Sequence, residues 1–411
     1  MFRGARWNEQ TSGAATTLEG RRLSTIYPRT QLGVAVVAVL LASVAAGVLH
    51  APRAGASTSP RGSSQVSFRV DASTNPSATA NALNGVACPA STFCMSVGYY
   101  VNAAVDKTLA ERWDGARWTT SPSISPSLTS NFFSGVSCVN ASFCMAVGAQ
   151  RAGSSQRVLL ERWNGRAWSL AGGVDPSSTD VLNAVSCSSV RFCMAVGDQL
   201  VGTTRRTLVE RWNGLRWSLS PSPNQGAATD DLLGAACTSP SFCVAVGEWV
   251  GGGHDRALVE RWNGLGWAVS AARDPGAMDV LGSVACASST FCQAVGNEVR
   301  GAATTTLAQR WDGRGWTTVP SASPNAHSSL WGVSCPRPTL CEAVGGIQSG
   351  AASRTLVEHW TGTRWVASPS ANPSSRDGFN GVSCAASAMC KPVGFEVVGA
   401  DVYDSLIERG A

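Results

Sequence analysis

Fourteen cysteines occur in this chain, and each belongs to a C-x5-C pair: Cys88/Cys94, Cys138/Cys144, Cys187/Cys193, Cys237/Cys243, Cys286/Cys292, Cys335/Cys341 and Cys384/Cys390. First members stand 50, 49, 50, 49, 49 and 49 residues apart, so the chain is a seven-fold repeat with hardly an insertion. A fixed period of this size calls for a propeller or solenoid, in which each unit buries its apolar face against the next. That constraint overrides the two or three domains that 411 residues would otherwise suggest.

One unit reads as four short strands. "LNAVSC" (Leu182 to Cys187) is the first and "FCMAVG" (Phe192 to Gly197) the second. After a variable connection come "RTLVERW" (Arg206 to Trp212), the turn Asn213-Gly214 and a fourth strand starting near Trp217. Asn-Gly between β-rich runs is a strong hairpin signal, because both residues tolerate the positive φ of a type I′ turn. No helical periodicity competes after the leader. Four antiparallel strands per unit, repeated, make a propeller blade. The expected fold is therefore all-β, a seven-bladed propeller.

The ends of the repeat fit this reading. The last copy stops at "SLIERGA" (Ser405 to Ala411), without its fourth strand. Twenty residues before Cys88 lies Phe68 in "QVSFRV", and eight beyond it lies Pro76. Five of six fourth-strand tryptophans also have a proline eight residues on. The N-terminal strand is thus expected to complete the C-terminal blade and close the ring, which removes two exposed sheet edges.

Residues 1–56 hold six Arg against two Glu, so most of the net charge of +5 sits in this leader and the body is nearly neutral. No basic field remains for a phosphate backbone, and nucleic acid is not an expected partner. The uncharged run "LGVAVVAVLLASVAAGVL" (Leu32 to Leu49) and Ala54-Gly55-Ala56 read as a signal peptide with a small-x-small cleavage site, or as a helical signal anchor outside the fold. Both readings export the body. The expected division is leader 1–56, linker 57–64 and propeller 65–411, with the membrane touched only through an uncleaved leader.

Each cysteine pair flanks a five-residue hairpin loop, where cross-strand disulfide geometry is reachable, and an exported chain with an even count favours seven disulfides. With four His in the chain and the pairs in separate blades, no four-ligand metal site assembles. Neither metal nor cofactor is expected.

Twelve of fifteen Trp occur as W-x4-W around the third turn, Trp212/Trp217 for example. They could stack on sugars, but paired aromatics across a hairpin more simply pin register and fill the gap between blades. A column of Glu111, Glu161, Glu210, Glu260, Gln309, Glu358 and Glu408 lies beside a column of Arg and reads as ion pairs between blades. A third column, Asn81, Asn131, Asp180, Asp230, Asp279, Ser328 and Asp377, precedes each first strand. It could crown the axis and attract a cation, or start the strand through Asx-type turns.

"GVSC", "FCMAVG" and "ERWNGxxW" resemble the repeats of the kelch/BNR-like seven-bladed propellers, and among those the Cys-paired, Trp-rich repeats of exported bacterial proteins. The resemblance covers about Phe68 to Ala411 and implies the fold more than an activity. "WDGARW" (Trp113 to Trp118) and "WDGRGW" (Trp311 to Trp316) are similar to the sialidase Asp-box but lack its Ser and one residue; the kelch double glycine and the WD-type Gly-His are missing.

In a four-stranded meander the second-to-third and fourth-to-first connections share one face. That face carries the differences between copies, as in "YYVNAAVDK" (Tyr99 to Lys107), "EWVGGGHDR" (Glu248 to Arg256) and "SPNAHSSLW" (Ser323 to Trp331). Loops on a rigid scaffold are where binding groups concentrate. The candidate binding residues are Tyr99, Tyr100, Trp249, His254, Asp255, His327 and Trp331. No G-x-S-x-G, H-E-x-x-H or nucleotide fingerprint occurs, and the four Tyr have no sialidase context. No catalytic residue is assigned. The expectation is an exported, monomeric, non-enzymatic binding or scaffold module at the cell surface, with polysaccharide as the first ligand; a protein-interaction platform and a glycoside-cleaving enzyme are the alternatives.

Overall fold

In the first five copies a buried run leads into a disulfide hairpin and then into a strand ending at an Asn-Gly or Asp-Gly turn, for which the sixth has Thr361-Gly362. A computed structural model describes residues 68–385, 389–399 and 402–410; the leader, its apolar segment and the linker lie outside them. The described residues form seven four-stranded antiparallel sheets with no helix. In blade 3 the strands are a (Asp180–Ser189), b (Phe192–Val201), c (Thr204–Trp212) and d (Trp217–Leu219). The other blades repeat this plan over residues 81–120, 131–170, 230–269, 278–318 and 328–368. Blade 7 takes a to c from 377–410 and d from Phe68–Asp71. Adjacent a strands pack against one another around the axis.

The closure expected from Phe68 is present. Phe68–Asp71 runs antiparallel to Val402–Gly410, with Phe68 opposite Gly410 and Asp71 opposite Ile407. Fully buried Lys391 of blade 7 pairs with Asp71 and sits 3.6 Å from the centroid of a Trp113 ring in blade 1. The same position after the second cysteine is Met95, Met145 and Met194 in blades 1 to 3. One cation thus ties together the N-terminal strand, the last blade and the first.

The recurring "VG" of strand b follows from a bulge in strand a. Register slips between Leu182 and Ala184, which pushes the a-strand backbone toward its neighbour. A Cβ on Gly197 would lie 2.0 Å from the Val181 carbonyl oxygen, and one on Gly98 would lie 2.0 Å from that of Ala82. Only glycine fits.

All seven expected disulfides are present: Cys88–Cys94, Cys138–Cys144, Cys187–Cys193, Cys237–Cys243, Cys286–Cys292, Cys335–Cys341 and Cys384–Cys390, with Cα–Cα distances from 4.0 to 4.2 Å and no free cysteine. The expected five-residue loop between them is not. In blades 1 to 6 strands a and b run on past the cysteines and meet at a two-residue turn, Val190-Arg191 in blade 3, where a register slip between Cys187 and Ser189 takes up the odd residue. The second cysteine therefore lies inside strand b rather than at a loop mouth. Cys94, Cys144, Cys193, Cys243, Cys292 and Cys341 are fully buried, and Cys390 is 6% exposed. Each packs into the core between two blades, as Cys94 does beside Trp113, Cys144 beside Trp163, Cys243 beside Trp262, Cys292 beside Trp311, Cys341 beside Trp360 and Cys390 beside Phe68. These bonds are cross-links of the core.

The W-x4-W residues face each other across the c–d turn with ring centroids 5.5 to 5.8 Å apart. They are buried in the junctions between blades, Trp212 and Trp217 against Met145 and Val147 of blade 2. This is packing, and it leaves no indole face open to a sugar.

The Glu column does not form the expected ion pairs with its Arg neighbours. Alternation along the strand sends Glu210 and Arg211 to opposite sides of the sheet, as pairing across a blade junction requires, but the two columns find other partners there. The carboxyls instead turn to the d–a linker of the preceding blade. Ile124 N–H donates to Glu161 Oε1 at 3.0 Å, Val174 N–H to Glu210 Oε2 at 3.1 Å, and Ser321 Oγ–H to Glu358 Oε2 at 2.6 Å. Gln309 does the same work without charge: Oε1 accepts from Arg273 N–H at 3.1 Å and Nε2 donates to Arg273 O at 2.7 Å. The arginines go elsewhere; Arg261 lies 5.6 Å from the Trp311 ring of the next blade.

The d strands are short, three residues in blade 3, and leave the upper half of strand c without a partner strand. A side chain just ahead of each proline position closes that edge. Thr108 N–H donates to Ser125 Oγ at 3.0 Å, Val158 N–H to Asp175 Oδ1 at 2.8 Å, and Thr207 N–H to Asn224 Oδ1 at 2.9 Å. Asp274, Ser323, Asn372 and Asn75 repeat the contact in blades 4 to 7.

Candidate functional site

In blades 1 to 6 the b–c connections are two-residue turns rather than loops. Strand b of blade 1 runs to Asn102 and c begins at Val105, with Ala103 and Ala104 at φ of 48° and 61°; blade 4 turns at Gly252-Gly253. The variability seen in the sequence therefore lies on strand ends at the inner rim of this face, where the side chains have fixed directions.

The seven candidate residues do not come together; they divide among blades 1, 4 and 6. Tyr99 packs on Phe132 of blade 2, and half-buried Tyr100 packs at the junction of blades 7 and 1. Trp249 packs against the blade 3–4 core, with the Arg256 guanidinium 5.9 Å from its ring. Exposed His254 and half-buried Asp255 open strand c of blade 4. His327 is exposed, and its carbonyl accepts from Gln348 N–H at 2.8 Å. Trp331 spreads over two glycines: a Cβ on Gly346 would lie 3.1 Å from it and one on Gly378 3.6 Å. Phe395 also borders Gly378 and stands 6.1 Å from the Tyr403 ring, so Trp331 belongs to an aromatic cluster on blades 6 and 7.

The column ahead of strand a does not crown the axis with cation ligands. Each side chain turns back on its own linker: Asn81 Oδ1 accepts from Ser77 N–H at 2.8 Å, Asp230 Oδ1 from Gly226 N–H at 2.7 Å, and Asp279 Oδ1 from Gly276 N–H at 3.1 Å. Asn131, Asp180, Ser328 and Asp377 make the equivalent contact. These are turn caps. Among the described residues no group of three His, Cys, Asp or Glu is placed to hold a metal ion.

What distinguishes the copies is a pair of facing positions at the inner rim, the second residue of strand a and the fifth after the second cysteine. They pair directly as Ala82/Tyr99, Phe132/Ala149, Val181/Asp198, Asp231/Glu248, Val280/Asn297, Ser329/Gly346 and Gly378/Phe395. At these positions the aromatics, Phe395, Tyr99 and Phe132, gather on blades 7, 1 and 2. The three charged residues, Asp198, Asp231 and Glu248, gather on blades 3 and 4, where they are 3%, 8% and 6% exposed. Arg205 Nη1 lies 2.5 Å from Asp198 Oδ2, and Asn183 Nδ2 donates to Asp231 Oδ1 at 3.0 Å. Burial pushes the Glu248 carboxyl up to about 7. Burial also raises Asp231 well above the ordinary carboxylate range, with Asp198 and Glu248 adding to the effect. Sequence reasoning missed this trio. The signal was "VGD" and "VGE" standing where other copies have "VGY" or "VGA".

A further cavity of about 360 Å³ opens on blade 5 between strand c and the d–a linker, lined by Glu298, Thr305, Thr306, Leu307, Ser321 and Ser323 among others. Ser323 there is already engaged by Thr306.

Seven four-stranded sheets closed through Phe68–Asp71 define a seven-bladed β-propeller. No protein-family model and no curated protein matches the chain. Among solved structures it is similar in fold to YCF48 bound to a D1 peptide, at 13% identity and a TM-score of 0.52 over 84% of this chain and 94% of that one. Chaetomium thermophilum Sqt1 bound to the N-terminus of the ribosomal protein L10 matches at 10% identity, with a TM-score of 0.49 over 80% and 85%. YCF48 from Cyanidioschyzon merolae matches at 10% identity, with a TM-score of 0.48 over 84% and 98%. These likenesses are of fold.

Proposed function

We propose that this protein is an exported, non-enzymatic binding module of the kelch/BNR-like type that holds a protein partner on the inner rim of its b–c and d–a face. The observation carrying this reading is the rim itself. At paired positions of otherwise matching blades, one arc is aromatic and the other acidic, while the opposite face repeats disulfide hairpins and tight turns. A patch with apolar and charged sectors suits a polypeptide, whose side chains are of both kinds. YCF48, which is similar in fold, is bound to a D1 peptide, and this is in keeping with a polypeptide ligand. Seven disulfides suit an oxidising compartment.

Polysaccharide stands second. A sugar platform needs an open aromatic face, and Trp249 and Trp331 are half-buried against their own blades. The test is selection of a displayed random-peptide library on the full chain under non-reducing conditions, beside a glycan panel. Enriched peptides without saturable sugar binding support the protein reading. Sugar binding lost on Trp249→Ala or Trp331→Ala would overturn it in favour of a lectin, and glycan hydrolysis lost on Glu248→Gln in favour of an enzyme.

A further inference from the structure

Six of the seven blades carry no charge in strand a at the facing positions, and junctions such as Tyr99 on Phe132 or Ala149 on Val181 close by apolar contact. The fold therefore has no need of acids there. At the junction of blades 3 and 4 three carboxylates replace those contacts, each more than nine-tenths buried. Burying a charge is costly unless it is paired and hydrogen-bonded.

The compensation present is incomplete. Arg205 supplies one cation, held at Asp198, and Asn183 supplies one hydrogen bond, held at Asp231. Glu248 Oε2 is buried with no partner. Its strand neighbour across the pair is Asp231, so the orphaned oxygen belongs to the most acidic point of the rim. Three acids share one guanidinium, and the raised carboxyls of Asp231 and Glu248 show that the junction lacks the positive charge that would stabilise their ionised forms.

Resting on the protein-binding reading above, we propose that the junction of blades 3 and 4 is a pocket for a cationic side chain, lysine or arginine, of the bound partner. A guanidinium or ammonium donates several hydrogen bonds to carboxylates that need not converge on a single point. That matches an acid trio which, among the described residues, is not arranged as metal ligands. Arg205 has its side chain half exposed at the same face and already makes one such contact; the partner's cation supplies the second.

The experiment uses the full chain and two probes. Peptides enriched from the random library are expected to carry Lys or Arg at one fixed position. Citrulline at that position, or Glu248→Gln in the protein, should weaken binding about thirty-fold or more, as expected when one partner of a buried charge pair is removed. Peptides without a basic residue, or affinity within about two-fold in Glu248→Gln, would overturn the proposal while leaving the protein-binding reading intact. If no peptide is enriched, that reading falls and the pocket is judged alone by NMR titration with N-acetyl-arginine methylamide. Saturable shifts at blades 3 and 4, absent with the citrulline analogue and lost in Glu248→Gln, support it; no shift overturns it. Saturable calcium binding lost in Glu248→Gln would also overturn it, in favour of a metal site. Glu248→Gln replaces a buried carboxyl that has one unpartnered oxygen with an amide of the same volume, so its melting temperature should stay close to that of the parent and serves as the folding control.

Discussion

The outer rim and the inner rim of this ring are built from the same seven copies and follow opposite rules. At the outer rim six blades carry the same Trp pair across the same turn, because every junction there must fill the same gap. At the inner rim the paired positions run from Gly378/Phe395 to Asp231/Glu248 within one closed ring. Closure depends on the bulge, on the glycine that admits it and on the disulfide hairpin below. Two residues above the bulge the fold accepts aromatic, small or acidic side chains alike. What the ring does not need is where the copies differ, and that is where a ligand can be read.

Three results would break or sharpen this contrast. Reduction of all seven disulfides should have the largest effect. Each closes a loop with a sequence separation of 6, as in Cys187–Cys193, which is worth about 2 kcal/mol in the chain-entropy model, on the order of 10 kcal/mol together. Chemical denaturation with and without reductant measures it; an unchanged midpoint would mean that the hairpins are held without the bonds. Next, Trp212→Ala should cost about 3–5 kcal/mol of stability. Trp331→Ala, half-buried over glycines, should cost clearly less and should change ligand binding. Equal losses in the two variants would erase the distinction between the rims.

The smallest effect concerns pH. Burial pushes Glu161, Glu210, Glu260 and Glu408 up to about 8 from the ordinary 4.5. Carboxyls raised in the folded state bind more protons there than in the unfolded chain. Their contribution is complete below about pH 4.5 and is lost as pH rises through about 8. Gln309 shows the neutral form, donating to the linker carbonyl from the place where a protonated carboxyl has its hydroxyl. Melting temperature should fall between pH 5 and 8.5, and replacing Glu161, Glu210 and Glu260 by Gln should flatten the fall; a rise with pH would contradict it.

The architecture was legible because its signals are local and repeated. Cysteine spacing set the blade count, Asn-Gly and Asp-Gly turns set the c–d hairpins, and the offset from Phe68 to Cys88 and Pro76 placed the closing strand. The same spacing overstated the a–b loop, because a register slip beside Cys187 is invisible in a residue count. The Glu column misled because a carboxyl facing a blade junction suggested an arginine across it, whereas the linker of the preceding blade supplies the donor there, as Val174 N–H does to Glu210. The edge caps escaped notice although Asn75, Ser125, Asp175, Asp274, Ser323 and Asn372 each precede a proline. The proline was read, and the polar side chain before it was not. The acid trio was the hardest to see. Asp231 meets Glu248 only through a register set by a bulge, and Asp198 joins them only across a blade junction. Tyr99, Tyr100 and Trp249 were assigned to loops that proved to be two-residue turns, and Trp331 to a linker that ends before it, so all four sit on strands with their faces already engaged.

The partner lies along the inner rim, and its basic side chain is seated at blades 3 and 4. This placement is tested most directly by hydrogen exchange of the full chain with and without a saturating library-selected peptide. The account predicts slowed exchange in residues 180–183, 197–201, 230–233 and 247–251, with the c–d turns at 213–216 and 263–266 unchanged. Protection confined to those turns, or to the disulfide hairpins beneath them, would contradict it and move the ligand to the face where the copies agree.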